Sequence, residues 1–317
     1  HKAMDQLILP DATANIDVEL TESTTNSAHA NDAAHHFHPD DDDDTNPLPP
    51  AMKKLKLKDD DSSSFAFQNP TKQCLHRIHS DLTKLYRDPV EGIFVVPDDA
   101  KANVCHAIVL GPSETPYEFG FFYFIMEFPN QYPHEPPRVT LQTTGGGTVR
   151  FNPNLYRCGK VCLSILGTWS GPSWTPALTI GSVLLSIQSL LNAAPYHNEP
   201  GYETMHRGGR PPQQYNHVIR HETIRVAVLG MVELALQNKL PEKFVQLILD
   251  TVLHATGECC LYLCDEYKTL DGKSFQDPYK RNKGTFGFGR LQKRLERILV
   301  VVQQQQQQGA TRGDEME

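Results

Sequence analysis

The chain has 317 residues, enough for one large domain or two ordinary ones with a sizeable core. Residues 1–61 hold 14 Asp plus Glu against 5 Lys, so the formal net charge of −8 belongs to this tail and the rest is close to neutral. A nucleic-acid-binding protein would need a basic footprint that this chain lacks. No apolar run reaches the roughly 18 residues of a membrane span and no charged-then-apolar leader is present, so neither a span nor a secretory signal is expected.

The first 70 residues are predicted to form a disordered acidic tail. They lack apolar periodicity and contain the acidic run Asp40–Asp44 followed by three Pro, so they bury too little apolar surface to offset the entropy of ordering. The basic run at residues 53–58 is interpreted as a solvated charge patch rather than a nuclear address. The seven Cys have irregular spacing, which indicates reduced thiols and predicts a cytoplasmic and nuclear protein.

Ordered structure is predicted to begin near Thr71, with one helix and then a run of strands. Ile78, Leu82 and Leu85 recur at helical spacing, and Asp88-Pro89 ends that pattern. The apolar runs that follow are separated by short loops, which favours an antiparallel meander. The predicted strands are Gly92–Val96, Val104–Leu110, Phe121–Phe128 and Arg138–Leu141.

An irregular stretch from Phe151 to Ile165 comes next. Asn152-Pro153-Asn154 has turn chemistry, because Pro fixes φ and Asn side chains bond nearby backbone. Cys162 ends this loop. A loop held by its own polar residues and ending in a thiol is typical of a functional site, and the alternative is an ordinary buried Cys. These residues by themselves leave both interpretations open.

The rest of the chain is predicted to be mainly helical. Thr179 is a suitable N-cap for a helix over residues 180–191, and the loop after Pro195 is placed to fold back toward Cys162. Residues 203–216 are predicted to be a loop, and the six Gln at 303–308 to begin a solvated tail. Three further helices are predicted: His217–Gln237, Glu242–Tyr267 and Arg290–Val302.

The order of these motifs resembles the catalytic domain of ubiquitin-conjugating enzymes. The resemblance covers about residues 71–202, and its Phe-Asn-Pro-Asn and Gly-Thr-Trp-x-Gly-Pro variants are most similar to the large Z-type members. The motifs that carry it are Arg77-Ile78, Gly111-Pro112, Pro116-Tyr117, Tyr132-Pro133, Pro136-Pro137, Asn152-Pro153-Asn154, Val161-Cys162-Leu163 and Trp174-Thr175-Pro176.

The resemblance implies an α+β fold with an N-terminal helix, a four-stranded antiparallel meander, the active-site loop and C-terminal helices. It also implies four parts of the chain: a disordered tail (1–70), a catalytic core (71–202), a helical C-terminal extension (203–302) and a second disordered tail (303–317). Two residues depart from the family's pattern. Asn152 replaces the usual His of the loop, and Ser164 replaces a common acidic residue.

The resemblance implies that Cys162 accepts ubiquitin as a thioester from an activating enzyme and passes it to a lysine or to a ligase thiol. Asn154 would donate an amide N–H to the oxyanion that forms, and its alternative role is to bond the loop's own backbone. Glu199 is the nearest match to the acid that gates the incoming lysine. His197 lies beside it and is either part of that gate or a satisfied loop His.

The resemblance also implies partners. His134, Pro176 and Ala177 are expected to form a ligase-contact surface, and the Z-type variants suggest a tandem ubiquitin-like modifier as a second substrate. No stably bound cofactor is expected, since ATP is consumed by the activating enzyme. No metal, nucleic-acid or membrane partner is expected. The His cluster beside the acidic run Asp40–Asp44 could hold a metal loosely, but low-complexity drift is the favoured interpretation. A second metal-like group lies within a helical pattern and fits a buried helix face better. That group is His254, Cys259, Cys260 and Cys264.

Two other functions compete with the enzyme. An inactive ubiquitin-conjugating fold would act as a binding module, but such variants lack the Cys, so the presence of Cys162 and Asn154 favours the enzyme. A scaffold that works through the C-terminal helices is the other alternative, and no motif supports it.

Overall fold

A computed structural model describes residues 70–204 and 209–314, with side chains as far as residue 307. The described part opens with helix α1 (Lys72–Arg87), which Thr71 caps by accepting a hydrogen bond from Cys74 N at 3.1 Å. Four strands then pair antiparallel in the order β1-β2-β3-β4, so the predicted α+β fold with its meander is confirmed. They are β1 (Ile93–Pro97), β2 (Val104–Leu110), β3 (Phe121–Glu127) and β4 (Arg138–Leu141).

The first hydrophobic core lies between this sheet, α1 and helix α2 (Ile180–Leu190). The α1 residues whose spacing predicted the helix are buried in it. Helix α2 starts with a capping box, in which Thr179 Oγ1 accepts from Ser182 N at 3.2 Å and Ser182 Oγ accepts from Thr179 N at 3.1 Å. The box fixes the start of α2, and the helix then carries its apolar face, with Val183 and Ile187 fully buried, across the core.

Asp81 on α1 ties this helix to the loop before α2. Its carboxylate accepts from Arg77 Nε at 2.8 Å and from the Tyr132 hydroxyl at 2.5 Å, and only 2% of the residue is exposed. Arg77 in turn donates to the carbonyls of Pro176 and Leu178 at 2.9 and 2.8 Å. The segment that contains Pro176 is therefore held against α1.

Replacing Asp81 with alanine is expected to lower the free energy of unfolding by about 3 kcal/mol, because the buried Tyr132 hydroxyl loses its partner and the Arg77 guanidinium loses the carboxylate that balances its charge. Urea denaturation measures this loss. The matched control is Asp99→Ala at an exposed site, which is expected to change stability by no more than about 0.5 kcal/mol. Equal losses for the two variants would show that the buried network contributes little.

The helices after α2 differ from the sequence prediction at two ends. Helix α3 (Arg210–Glu222) begins at Arg210 rather than at His217, because Pro211 is accepted in a first helical turn, where the backbone N–H has no intrahelical partner. It continues through a π-helical segment (Thr223–Gly230) into α4 (Met231–Leu236). The predicted loop over residues 203–216 is therefore wrong from Arg210 onward.

The last helix is longer than predicted. Helix α7 (Phe288–Asp314) does not end at Val302 but continues through the Gln tract. Gln has a favourable helix propensity, and Gln306 Nε2 donates to Asp250 Oδ1 at 2.6 Å, which holds the tract against a neighbouring helix. Residues 303–307 are exposed except for the half-buried Gln306, as expected of a solvated tract, but the prediction of a disordered tail from residue 303 is wrong as far as Asp314, because the helix continues to that residue.

The second hydrophobic core is built by the C-terminal helices. Helix α5 (Glu242–Thr251), a π-helical segment (Val252–Thr256) and α6 (Gly257–Glu266) form the predicted continuous helix. Cys260 and Cys264 are fully buried in this core, as a buried helix face requires, whereas Cys259 is exposed. In the part of the chain that the structure describes, no group of three or more His, Cys, Asp or Glu is arranged to hold a metal ion.

By length and composition alone, the helical stretch Glu242–Glu266 could cross a membrane. Within it, 44% of the most apolar window is buried inside the protein, and Phe244, Ile248 and Val252 pack into the second core. These contacts make the stretch a core helix of this fold. The sequence prediction named no span because charged and polar residues interrupt the apolar run.

Candidate active site

Asn154 and Cys162, which lie eight positions apart, are bonded to each other in the structure. Cys162 N donates to the Asn154 carbonyl at 2.9 Å, and Asn154 Nδ2 donates to the Cys162 carbonyl at 2.9 Å. Asn154 is 6% exposed and Cys162 is 2% exposed. The predicted nucleophile and its predicted amide partner are therefore adjacent, and one amide N–H of Asn154 is already used by the loop.

The turn between these two residues depends on Gly159. Its φ is +88°, and a Cβ at this position would lie 2.7 Å from the Leu141 carbonyl oxygen, so a larger residue would both strain and collide. Tyr156 N donates to Lys160 O at 3.0 Å across the turn. This tight reversal returns the chain to Asn154 and sets where the thiol lies.

Asn152 holds the same loop to the end of α2. Its Oδ1 accepts from Asn154 N at 2.9 Å, and its Nδ2 donates to the Tyr117 hydroxyl at 2.9 Å and to the Leu190 carbonyl at 2.8 Å. The residue is fully buried. Asn152 therefore supplies both the donor and the acceptor that stabilise the loop. The loop is well hydrogen-bonded although Asn stands here in place of the family's usual His.

Burial raises the pKa of the Cys162 thiol above its ordinary value. Three neighbours act in the opposite direction: the charge of Lys160, a hydrogen bond with Tyr156 and the charge of Arg150. Arg150 also stacks on Tyr156, with its guanidinium carbon 3.7 Å from the ring centre. Burial outweighs these three contributions, so the pKa of the Cys162 thiol stays above its ordinary value. Cys158, four positions earlier, is exposed.

The loop after α2 does fold back to the active-site loop, as predicted. It forms a 3₁₀ turn (Pro195–Asn198), and Asn198 Nδ2 donates to Leu190 O at 3.2 Å and to Asn152 Oδ1 at 3.4 Å. His197 donates from Nδ1 to Tyr202 O at 2.8 Å, while its Nε2 is buried without a hydrogen-bond partner. Structurally, His197 is a loop residue with one unused nitrogen, and its part in a lysine gate stays a prediction.

The residues that sequence reasoning missed come from the C-terminal part of the chain. Strands β5 (Ser274–Gln276) and β6 (Lys283–Thr285) form a hairpin, and the loop between them contacts the site. Arg281 holds both oxygens of Glu199 at 2.7 Å, and Asn282 bonds the backbone of Arg150. Asp277-Pro278 is a local turn signal that the sequence analysis did not use, and no local pattern shows that this turn lies against a loop more than a hundred positions earlier.

Comparison with known proteins identifies the family. Residues 77–222 match the family described as ubiquitin-conjugating enzyme. The chain is 44% identical over 243 residues to the ubiquitin-conjugating enzyme E2 Z of Xenopus tropicalis, covering 75% of this chain and 74% of that protein. The chain belongs to the ubiquitin-conjugating enzyme family.

Other relatives differ in how much of them the chain covers. The human ubiquitin-conjugating enzyme E2 Z is 46% identical over 238 residues, and the chain spans 66% of its length. The human dual E2 ubiquitin-conjugating enzyme/E3 ubiquitin-protein ligase BIRC6 is 44% identical over 158 residues, which are 47% of this chain and 3% of that protein. Ubiquitin-conjugating enzymes are acyl transferases that act through a cysteine thioester, and the matched region contains the loop that ends in Cys162.

The surface predicted for ligase contact lies on this ubiquitin-conjugating domain. A shallow groove of about 500 Å³ runs between α1 and the segment that contains Pro176 and Ala177. Both residues line it and are exposed, and His134 is exposed next to Pro133, which also lines the groove. Pro176 and Ala177 therefore share one groove, which the contact of Arg77 with the Pro176 carbonyl holds in place, whereas His134 is not part of the groove lining.

Proposed function

We propose that this ubiquitin-conjugating enzyme accepts ubiquitin on Cys162 as a thioester and transfers it to a substrate lysine or to a ligase thiol. The observation that supports this most directly is the reciprocal pairing of Asn154 and Cys162 in the active-site loop. In the loading step, the Cys162 thiolate attacks the thioester carbonyl of ubiquitin on the activating enzyme. A new C–S bond forms, the old one breaks, and the activating enzyme's sulfur leaves as thiolate.

Asn154 is suited to stabilise the oxyanion that forms when a substrate lysine attacks the thioester. Its amide nitrogen carries two hydrogens, of which one bonds the Cys162 carbonyl. The second is free to donate to the oxygen that becomes negative when the acceptor attacks, and such a donor strengthens most in the transition state. No cofactor enters these steps, because the energy of ATP is spent when the activating enzyme makes its own thioester.

A charging experiment tests this function. The protein is mixed with ATP, ubiquitin and each ubiquitin-activating enzyme in turn, and the products are separated with and without a thiol reductant. We expect an adduct larger by one ubiquitin that the reductant removes. If no activating enzyme yields such an adduct, the protein is the competing binding module and not an enzyme.

The choice of modifier is part of the same proposal. Similarity to the Z-type relatives over three quarters of this chain supports charging with a tandem ubiquitin-like modifier as well as with ubiquitin. We further propose that residues 71–202 form the catalytic core, that residues 203–302 extend it and that the protein acts in the cytoplasm and nucleus. Charging each modifier with each activating enzyme, and imaging the tagged full chain in cells, test these points.

Ligases are proposed to bind the groove lined by Pro176 and Ala177. Ala177→Arg would fill it with a long cationic side chain, and we expect the dissociation constant for a cognate ligase to rise at least about tenfold, as for a disrupted interface centre. Titration of the ubiquitin-loaded protein against the ligase measures the dissociation constant. Ser173→Arg, at an exposed position outside the groove lining, is the matched control, and an equal effect of both variants would rule the groove out.

A further inference from the structure

The hairpin of β5 and β6 places a preformed loop, residues 277–282, against the active site. This loop lies beyond the region that matches the ubiquitin-conjugating family. Asp277 shapes it, because its carboxylate accepts from the backbone N–H groups of Tyr279, Arg281 and Asn282 at 2.9, 3.1 and 2.7 Å. Asp277 is only 2% exposed, so water does not compete for these bonds. The loop's conformation is thus set by its own residues.

Two contacts fix the loop on either side of Arg281. Asn282 pairs with the backbone of Arg150, since Oδ1 accepts from Arg150 N and Nδ2 donates to Arg150 O, both at 2.9 Å. Tyr279 donates its hydroxyl to the Tyr196 carbonyl and stacks on the Tyr196 ring, with 5.0 Å between ring centres. Arg281 is consequently held against Glu199 in the loop after α2.

Arg281 engages Glu199 through both guanidinium nitrogens. Nη1 donates to Oε2 and Nη2 to Oε1, each at 2.7 Å, and Arg150 Nη2 lies 4.0 Å from the same carboxylate. The hydrogen bonds from Arg281 are the largest cause of the lowered pKa of Glu199. The acid expected to receive an incoming lysine is therefore ionised, yet two cations compensate its charge and Arg281 occupies both of its oxygens.

A lysine amine and a thiolate, the two possible acceptors of ubiquitin, respond oppositely to nearby cations. When a neutral lysine amine attacks the thioester, a C–N bond forms and positive charge develops on nitrogen until its proton leaves, while Cys162 departs as thiolate and takes up a proton. A free carboxylate favours this step and a cation opposes it. When a thiolate attacks, one C–S bond replaces another and no positive charge develops, so nearby cations are tolerated or favourable.

We propose that Arg281 is a specificity-determining residue that masks Glu199 and so directs ubiquitin from Cys162 to thiol acceptors in preference to lysine. This inference rests on the proposed thioester function. It assigns to the C-terminal extension a direct role in the choice of acceptor, through one bidentate ion pair.

The test compares two acceptors on a preformed thioester. The full chain is charged with ubiquitin, charging is stopped by removing Mg²⁺, and the decay of the adduct is followed with free lysine or free cysteine. In Arg281→Gln, we expect the lysine rate to rise about tenfold, which corresponds to one pKa unit of altered interaction, and the cysteine rate not to rise. Adding Glu199→Gln to that variant should remove the gain.

Two further variants make the outcome decisive. Lys280→Gln removes an exposed charge from the same loop without touching Glu199, and both of its rates should match the wild type. Arg281→Lys keeps the charge but loses the bidentate contact, so it should show a smaller rise in the lysine rate; it also carries the test if Arg281→Gln fails to fold.

The possible failures are distinct. If the wild type never forms the thioester, the proposed function and this inference are both overturned. If the thioester forms, but the ratio of lysine to cysteine rates is unchanged or falls in the folded Arg281 variants, only the masking role is overturned. A rise that persists after Glu199→Gln is added would also overturn it, because the gain would not come from the unmasked carboxylate.

Discussion

Cys162→Ala is expected to abolish the reductant-sensitive ubiquitin adduct completely, because alanine has no nucleophile to form a thioester. Cys162→Ser should instead form an adduct more slowly, and that adduct should resist thiol reductants, since a serine hydroxyl makes an oxygen ester and is a much weaker nucleophile than a thiolate. Charging reactions separated with and without reductant distinguish all three proteins. The serine result is the more informative, because it shows that the position itself receives the acyl group.

Cys158 supplies the matched control. It lies four positions before Cys162 and is exposed, whereas only 2% of Cys162 is exposed, so accessibility alone would favour Cys158 as the reactive thiol. The charging rate of Cys158→Ser is nevertheless expected to stay within about twofold of the wild type, since Asn154 bonds the backbone of Cys162 and not that of Cys158. Loss of the adduct in Cys158→Ser would refute the assignment of Cys162.

Asn154→Ala is expected to slow discharge of the thioester to lysine by about 10²–10³-fold, the usual cost of removing one oxyanion donor. The loading step should fall much less, because the alanine variant keeps the backbone bond from Cys162 N to the carbonyl of residue 154. Single-turnover measurements of loading and discharge separate the two effects. Asn154→Asp tests the same point with a side chain of equal size, and it should fail similarly because a carboxylate has no N–H to donate.

Asn152→Ala provides the comparison for a purely structural defect. Asn152 bonds Asn154 N, the Tyr117 hydroxyl and Leu190 O, so its loss loosens the loop that both steps share. Loading and discharge should therefore fall together in this variant. If Asn154→Ala shows the same parallel loss, its main role is to hold the Cys162 carbonyl, and the oxyanion role is contradicted.

Much of the fold was predictable, because local patterns determine it. The spacing of Ile78, Leu82 and Leu85 predicted α1, and short loops between apolar runs predicted the meander. The predicted helix ends were wrong where the same local residue pattern occurs in two kinds of structure. Pro211 occurs in loops and in first helical turns, and only packing decides between them. A run of Gln likewise occurs both in disordered tails and in helices.

The site was predictable in its loop and not in its surroundings. Asn154 and Cys162 share one short loop whose turn residues are visible in the sequence, and the structure brings them together. The contact of Arg281 with Glu199 spans 82 positions, and that of Asn282 with Arg150 spans 132. No periodicity or turn signal encodes such pairings, because they depend on how the C-terminal hairpin packs on the completed domain.

The central claim is that ubiquitin is carried on Cys162. Its most direct test is to isolate the adduct formed by the wild type without reductant, digest it and locate the ubiquitin C-terminal remnant by mass spectrometry. The account predicts a thioester-linked remnant on the peptide that contains Cys162. A remnant on Cys158, or one linked only through lysine, would contradict it.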